Sequence, residues 1–257
     1  MNSKYTHLCH LLKQYGKVAV AYSGGVDSTL LLYSAVESLG AGNVIAVFAR
    51  SELQKKATVS RALGQAREFG CRVLEINVSP LSWQDFVGNP PDRCYLCKRA
   101  IYTKFLESIP KDFMIVDGTN IDDLEHDRPG HRALKELSIN TPLVESLLTK
   151  NDIRNLSKQL GLSTWDLPSE SCLATRIPTG TEISQDKLVR VERAEEFLAD
   201  LGFAGCRVRF EEYGVVVSIH ERDFSRIGDS LLREKIISFF NTHSREKILL
   251  DFCGRVN

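Results

Sequence analysis

The hexapeptide Ser-Gly-Gly-Val-Asp-Ser at residues 23–28, called the glycine loop below, is the stretch of sequence best suited to chemistry. It follows a β-prone apolar run starting at Val18 and precedes a helix-like run from Thr29 to Leu39. A loop between a strand and a helix N-terminus gathers free backbone N–H groups and the positive end of the helix dipole. Its glycines allow close backbone approach, and its serines add hydroxyl donors. The sequence therefore predicts a phosphate site with these contacts: Ser23, Gly24, Gly25 and Ser28.

The glycine loop has neither the lysine and spacing of a Walker A motif nor the Gly-x-Gly-x-x-Gly pattern of dinucleotide sites. It is similar instead to the pyrophosphate loop of enzymes that adenylylate a substrate with ATP, such as GMP, NAD and asparagine synthetases and RNA thiolases. Those enzymes cleave ATP between its α- and β-phosphates and hold pyrophosphate in the loop. The alternative interpretation is an ordinary glycine turn between a strand and a helix.

The chain has seven cysteines, an odd number that argues against a disulfide framework. Cys94 and Cys97 form a Cys-x-x-Cys pair before a helix predicted from Lys98 to Ile109, and two thiolates at this spacing share a metal ion or cluster. Cys172 is a candidate third ligand. Half a zinc site, a redox pair and two ordinary thiols are the alternatives. The remaining four are interpreted as small buried hydrophobes: Cys9, Cys71, Cys206 and Cys253.

Strands that alternate with helices position these residues in the first part of the chain. This alternation predicts a parallel sheet covered by helices on both faces, with ligands at the carboxyl ends of its strands. The predicted strands begin at Val18 and span 44–49, 73–78 and 113–116. The predicted helices span 1–16, 29–39, 55–70 and 98–109.

A more charged texture begins near Thr179, after the Pro178-Thr-Gly180 turn. We predict two domains, residues 1–178 with the glycine loop and the candidate cluster cysteines, and a smaller α/β domain at residues 179–257. The second domain is predicted to bind substrate or form oligomers. Its predicted elements are helices at 182–201 and 224–240 and strands at 207–210, 215–219 and 247–252.

Composition restricts the partners. The 257 residues have a formal net charge of zero, which gives no electrostatic footprint for a long nucleic acid. No run of about 18 apolar residues indicates a membrane span, and residues 1–16 have no signal-peptide pattern. We therefore expect a cytoplasmic protein with a small-molecule substrate and no membrane partner.

Further motifs in a fixed order carry a specific resemblance. With the glycine loop, these segments resemble the LarE family, ATP-dependent sulfur transferases that make the thiocarboxylates of the nickel-pincer nucleotide cofactor, from about residue 10 to residue 223. The segments are Asp117-Gly-Thr-Asn120-Ile-Asp122-Asp123, Asp127-Arg128-Pro-Gly130, Thr141–Glu145, Leu148–Arg154, Leu160–Asp166, Ser171–Arg176 and Gly180–Ile183.

The resemblance implies a pyridinium biscarboxylate mononucleotide as the substrate. ATP adenylylates one carboxylate, pyrophosphate leaves through the glycine loop, and a sulfur nucleophile then displaces AMP. Asp27, with Asp122 or Asp123, would hold Mg²⁺, and Asn120 resembles a contact to the nucleotide.

The resemblance also implies two sources of sulfur. In one branch of the family, a cysteine at the position of Cys172 gives up its own sulfur and becomes dehydroalanine. Members with three cysteines, as here with Cys94 and Cys97, resemble a branch that binds a [4Fe–4S] cluster whose fourth iron carries exogenous sulfide. We favour the cluster, and zinc is the competing metal.

Arg207 and Arg209 alternate on a predicted strand and therefore face the same side. The family places two such arginines near the substrate phosphate, and Arg176 is a further candidate contact. Members often have an acidic residue after that strand, where this chain has Ser218. Trp83 and Tyr95 are candidates for stacking on a base or pyridinium ring, or for ordinary packing.

The family also implies a homo-oligomer and a sulfide donor. Two other functions remain open at the level of sequence. A cluster-dependent tRNA thiolase of the same loop class would bind tRNA tightly and in a salt-sensitive way. A nucleotide or redox sensor would form no AMP with any carboxylate substrate.

Overall fold

The computed structural model describes residues 3–124, 129–242 and 247–255. Asp127 and Arg128, part of one family motif, lie outside these residues. The chain divides into two compact units. Unit one contains residues 1–80 and 91–167, and unit two contains residues 81–90 and 168–257.

Four parallel strands form the sheet of unit one, in the order β3-β2-β1-β4. The two central strands, β1 and β2, are apolar and largely buried, as expected for parallel strands covered on both faces. The predicted α/β fold with a parallel sheet is confirmed. The strands are β1 (Val18–Ala21), β2 (Val44–Arg50), β3 (Arg72–Asn77) and β4 (Met114–Asp117).

Helices cover both faces of this sheet. One apolar cluster packs α1, α2, α3 and α9 against one face, and a second packs α5 and α7 against the other. The helices, numbered along the whole chain, are α1 (Ser3–Tyr15), α2 (Val26–Leu39), α3 (Lys56–Glu68), α4 (Gln84–Val87), α5 (Arg93–Ser108), α6 (Ile121–Leu124), α7 (Pro129–Glu136), α8 (Pro142–Glu145), α9 (Lys150–Gln159), α10 (Gln185–Asp200) and α11 (Ser230–Phe240).

Helix α5 begins earlier than its predicted start at Lys98. Two prolines precede Asp92, whose carbonyl accepts the amides of Tyr95 and Leu96 and so closes the first turn. The cysteine pair therefore lies inside the first turns of a helix, and the prediction that it precedes the helix is wrong.

Unit two contains a three-stranded sheet, β5 (Arg207–Glu211), β6 (Gly214–Ser218) and β7 (Ile248–Leu250). Strands β5 and β6 are antiparallel, whereas β6 and β7 are parallel. Helices α10 and α11 pack on its apolar side. The helix predicted over 224–240 is two elements, because a 3₁₀ segment (Glu221–Gly228) ends at Asp229, which caps α11 by accepting the amide of Leu232.

Asn89 explains why residues 81–90 belong to unit two. Its side chain is fully buried and donates to the carbonyls of Ile177, Pro178 and Thr181. Unit two resumes at Pro168, upstream of the boundary predicted at residue 178. In the described ranges, every helix is too short or too polar to cross a membrane.

Candidate functional site

The glycine loop connects the end of β1 to the start of α2, and two glycines permit its packing. Gly24 has φ +75°, and a Cβ there would lie 2.4 Å from the Cβ of Ala62 on α3. Gly118, which follows β4, would place a Cβ 3.1 Å from the amide nitrogen of Ser28. Ala21 and Asp117 are paired neighbours in the sheet, so the ends of β1 and β4 lie side by side. The main chain of the glycine loop therefore packs closely against α3 and against the segment that follows β4, at the place where phosphate is expected to bind.

The loop organises its own hydroxyl groups. The Ser28 hydroxyl accepts the Ser23 amide at 3.2 Å, donates to the Gly25 carbonyl at 3.2 Å and lies 3.1 Å from the Ser23 hydroxyl. The N-cap of α2 is Gly25, so its first-turn amides have no capping side chain. This arrangement suits an incoming anion.

Asp27, in the first turn of α2, is held by two side chains from distant parts of unit one. The Lys150 ammonium lies 2.5 Å from its Oδ2, and the Asn120 amide donates to its Oδ1 at 3.2 Å. Burial raises the pKa of Asp27 above its usual value, Lys150 opposes this rise, and Asp123 adds to it. Lys150 is a site residue that the sequence analysis missed, although it opens α9 directly after the Thr149 cap.

Asn120 shapes the acidic turn at residues 120–123. Its side-chain oxygen accepts the backbone amides of Asp122 and Asp123, and its backbone amide donates to Asp123 Oδ2 at 3.2 Å. Asp122 Oδ2 accepts the Lys150 amide at 2.8 Å and so helps to fix the start of α9. The structure thus brings Asn120 and Asp123 to Asp27, and ties Asp122 to the helix that carries Lys150.

A buried carboxylate, Asp117, connects this site to the cysteine helix. It accepts hydrogen bonds from the hydroxyl of Tyr102, from the hydroxyl and amide of Thr119, and lies 3.4 Å from the Lys98 ammonium. Burial alone would raise the pKa of Asp117, but Lys98 and these donors outweigh it and lower the pKa. Burial and Asp117 raise the pKa of Tyr102 well above its usual value, which keeps the phenol a donor.

The three candidate ligand cysteines are divided between the two units, two in unit one and one in unit two. Cys94 is exposed and Cys97 half-buried, one turn apart on α5 in unit one. Cys172 is half-buried in unit two, directly before a 3₁₀ turn at Leu173–Arg176. Within residues 3–124, 129–242 and 247–255, no three His, Cys, Asp or Glu side chains are grouped closely enough to hold a metal ion.

The other cysteines mostly follow the packing interpretation. Cys71 and Cys206 are buried, as predicted, and Cys9 is partly buried against the core of unit one. Cys253 is exposed, so that prediction is wrong for it. It follows the short strand β7 in a turn in which Asp251 accepts its amide, and this turn extends beyond the packed strand.

Arg176 is buried and forms a closed network in unit two. Its guanidinium makes a two-point pair with Glu195, at 2.8 Å from Nε to Oε1 and 3.3 Å from Nη2 to Oε2. Its Nη1 donates to the Ser171 carbonyl and hydroxyl, the Cys172 carbonyl and the Thr175 hydroxyl. These contacts make Arg176 a residue that holds the loop around Cys172 in shape.

Arg207 and Arg209 are half-buried on one side of β5, and Arg255 joins them electrostatically. Burial lowers the pKa of Arg207 to about 10, with further lowering by Arg255, Arg176 and Arg209. The Nε atoms of Arg207 and Arg255 are buried and have no hydrogen-bond partner in the described part of the chain. Arg255 was not among the predicted site residues, because no motif surrounds it in the sequence. We call Arg207, Arg209 and Arg255 the arginine group.

The remaining predicted contacts have packing partners. Trp83 packs edge-to-face on Phe86, with ring centroids 6.4 Å apart. The Tyr95 hydroxyl donates to Glu136. Ser218 donates to Asp251 Oδ2 at 2.9 Å, so a carboxylate from beyond β7 lies where the family often has an acidic residue.

The sheet, its order and the glycine loop at the end of β1 define an α/β nucleotide-binding protein of the PP-loop class, and the NAD synthase family model matches residues 6–85. The pyridinium-3,5-bisthiocarboxylic acid mononucleotide synthase of Lactiplantibacillus plantarum is 34% identical over 90% of this chain and 83% of that protein. Uncharacterized proteins of Synechocystis (32% identical, 99% of this chain, 95% of that protein) and Methanocaldococcus jannaschii (33%, 91% and 89%) also match. The chain therefore belongs to the LarE family.

Proposed function

We propose that this protein is an ATP-dependent, AMP-forming sulfur transferase that converts a carboxylate of pyridinium-3,5-biscarboxylate mononucleotide into a thiocarboxylate. One observation carries the proposal. The glycine loop and the acidic turn meet at Asp27 in a chain related over 90% of its length to a synthase of the corresponding bisthiocarboxylic acid.

The first step activates the carboxylate. A carboxylate oxygen of the acceptor attacks the α-phosphorus of ATP, the bond to the bridging oxygen of the β-phosphate breaks, and pyrophosphate leaves. The amides at the start of α2 and the hydroxyls of Ser23 and Ser28 hold the phosphates. Asp27 with Asp122 or Asp123 would hold Mg²⁺, which is commonly bound by one or two carboxylates together with substrate phosphates. Bound Mg²⁺ neutralises the charge of the leaving pyrophosphate.

The second step transfers sulfur. Hydrosulfide attacks the acyl carbon, the bond to AMP breaks, and a thiocarboxylate, AMP and a proton result. Cys94 is exposed and Cys97 and Cys172 are half-buried, and three thiolates are a suitable ligand set for a [4Fe–4S] cluster. When bound, such a cluster supplies an open iron that carries the sulfur.

The arginine group in unit two is proposed to bind the phosphate of the acceptor nucleotide. Two buried Nε atoms without partners and mutual repulsion favour the arrival of an anion. Arg176 acts on the same unit by holding the Cys172 loop. We also propose a homo-oligomer and an external sulfide donor, on the family resemblance.

The ATP chemistry is tested by measuring AMP and pyrophosphate release with the purified acceptor. We expect the two products in equal amounts, no inorganic phosphate, and loss of both in Asp27→Ala. Asp112→Ala is the matched control, because Asp112 also pairs with a lysine at 2.7 Å but lies exposed, away from the loop. Normal AMP formation by Asp27→Ala would refute the assignment of the loop.

The sulfur chemistry is tested on anaerobically purified protein. We expect about four irons per chain, lost in Ala variants of Cys94, Cys97 or Cys172 and retained in Cys9→Ala and Cys253→Ala. With added sulfide, several turnovers should leave the mass of the Cys172 peptide unchanged. Stoichiometric zinc would favour the zinc alternative, and a single turnover with loss of H₂S from Cys172 would favour the sacrificial route.

A further inference from the structure

Lys150 occupies a position in the phosphate site that its sequence neighbours do not explain. Its ammonium lies 2.5 Å from Asp27 Oδ2, although 123 residues separate the two in the chain. The side chains are 29% and 22% exposed, so solvent screens this pair only in part. The oxygen that Lys150 contacts belongs to Asp27, the carboxylate proposed above to bind Mg²⁺ beside the glycine loop.

A lysine ammonium and a divalent cation compete for one carboxylate oxygen. Two positive charges within a few ångströms repel strongly in a partly buried site. Asn120 donates to Asp27 Oδ1 through its side chain and to Asp123 Oδ2 through its backbone amide, so the two carboxylates lie close together. A positive charge beside Asp27, either the ammonium or the metal ion, offsets the repulsion between them.

The geometry allows the Lys150 ammonium to leave Asp27 for another acceptor while the backbone around it stays in place. Its backbone is fixed, because its amide donates to Asp122 and α9 begins with a capping box between Thr149 and Asp152. The side chain beyond it has four flexible torsions. Asn120 holds the other oxygen of Asp27 at 3.2 Å, so the carboxylate keeps its orientation when the ammonium leaves.

We propose that Lys150 is an exchangeable counter-ion of the ATP site. In the free protein it neutralises Asp27 and disfavours binding of a divalent cation alone. When a nucleotide brings the metal ion, Lys150 transfers from Asp27 to the phosphate oxygens. The metal ion and ATP consequently bind together. The inference rests on the ATP-binding part of the proposed function and needs none of the sulfur chemistry.

The test measures Mn²⁺ binding to the full chain without nucleotide, by electron paramagnetic resonance of free Mn²⁺. We expect Lys150→Met to bind Mn²⁺ about tenfold more tightly than the wild type, because the competing charge is gone. The same variant should bind the uncleavable analogue α,β-methylene-ATP with Mg²⁺ about tenfold more weakly. Lys150→Arg, which keeps the charge, should resemble the wild type in Mn²⁺ binding.

Lys4→Met is the matched control. Lys4 pairs with Asp152 on the same helix α9 at 2.6 Å, so its loss removes an equivalent ion pair outside the phosphate site. Neither affinity should change in this variant. Adding Asp27→Asn to Lys150→Met should abolish the gain in Mn²⁺ affinity, which locates the ion.

Unchanged Mn²⁺ affinity in a folded Lys150→Met protein would overturn the proposal, as would unchanged nucleotide affinity. If Lys150→Met unfolds, Lys150→Gln gives the same two readings. If both affinities change as expected in Lys150→Met but the wild-type protein forms no thiocarboxylate, the proposed function is contradicted and this inference stands.

Discussion

The glycine loop of unit one and the arginine group of unit two are two proposed anion sites of opposite construction. The loop uses backbone amides and contains an acidic residue, Asp27, neutralised by Lys150. The arginine group uses side-chain guanidiniums that repel one another, which contributes to the lowered pKa of Arg207. The shape of the first site depends on close packing of its main chain. The second site depends on how the charges of its side chains are compensated.

This difference determines which changes damage each site. A backbone site tolerates little added volume, because a Cβ at Gly24 or Gly118 would come within 2.4 or 3.1 Å of a neighbouring atom. The surroundings of the arginine group depend instead on buried ion pairing, above all between Arg176 and Glu195, whose side chains are 4% and 0% exposed. Three predictions test the comparison.

The largest effect is expected from Gly24→Ala. Its Cβ would meet Ala62 at 2.4 Å and its φ of +75° strains any other residue, so the loop must shift. Because a displacement of about 1 Å costs roughly a hundredfold in rate, AMP formation should fall about a hundredfold or more. Gly25→Ala is the neighbouring control. A Cβ at Gly25 would meet only the Ser23 hydroxyl at 3.4 Å, so the fall in AMP formation in Gly25→Ala should be much smaller. Equal losses would contradict the steric account.

Arg176→Leu should lower the free energy of unfolding by about 3–5 kcal/mol, because it leaves Glu195 buried without its partner. Urea unfolding followed by circular dichroism measures this. The double variant Arg176→Leu, Glu195→Leu removes both charges and should recover most of the loss. A double variant as unstable as the sum of both single variants would show that the pair is not the stabilising unit.

The smallest effect concerns acid stability. Asp117 has a lowered pKa in the folded protein, so its stabilisation is fully present above the usual value near 3.8 and is lost as pH falls through the folded value. The difference in unfolding free energy between wild type and Asp117→Asn should therefore begin to shrink at about pH 4 and shrink further as the pH falls. Urea titrations at each pH measure it.

Asp112 provides the exposed comparison. Its pKa is also lowered, through a hydrogen bond from Lys17, but it lies in solvent. Salt screens such a pair, so Asp112→Asn should change acid stability much less, and about 1 M salt should remove the remainder. A larger pH effect at Asp112 than at Asp117 would contradict the assignment by burial.

Local sequence predicted much of unit one, because its signals are contiguous. The run from Val18 through the glycine loop to Leu39 forms β1, the loop and α2 in the structure. The predicted start of α5 was wrong because backbone hydrogen bonds to the Asp92 carbonyl form the first turn of the helix, and side-chain periodicity does not reveal such bonds. The break at Asp229 was missed because apolar residues continue on both sides of it.

The sequence by itself determined the class of fold, the phosphate loop and the resemblance to the LarE family. Each of these can be predicted from short contiguous segments, without knowing which distant residues they contact. Only the tertiary structure showed that Lys150 neutralises Asp27, that Arg176 forms an ion pair with Glu195, and that Arg255 lies near enough to Arg207 to lower its pKa. The reason is physical. Charge compensation acts through space, and these partners are brought together by sheet order and packing rather than by spacing along the chain.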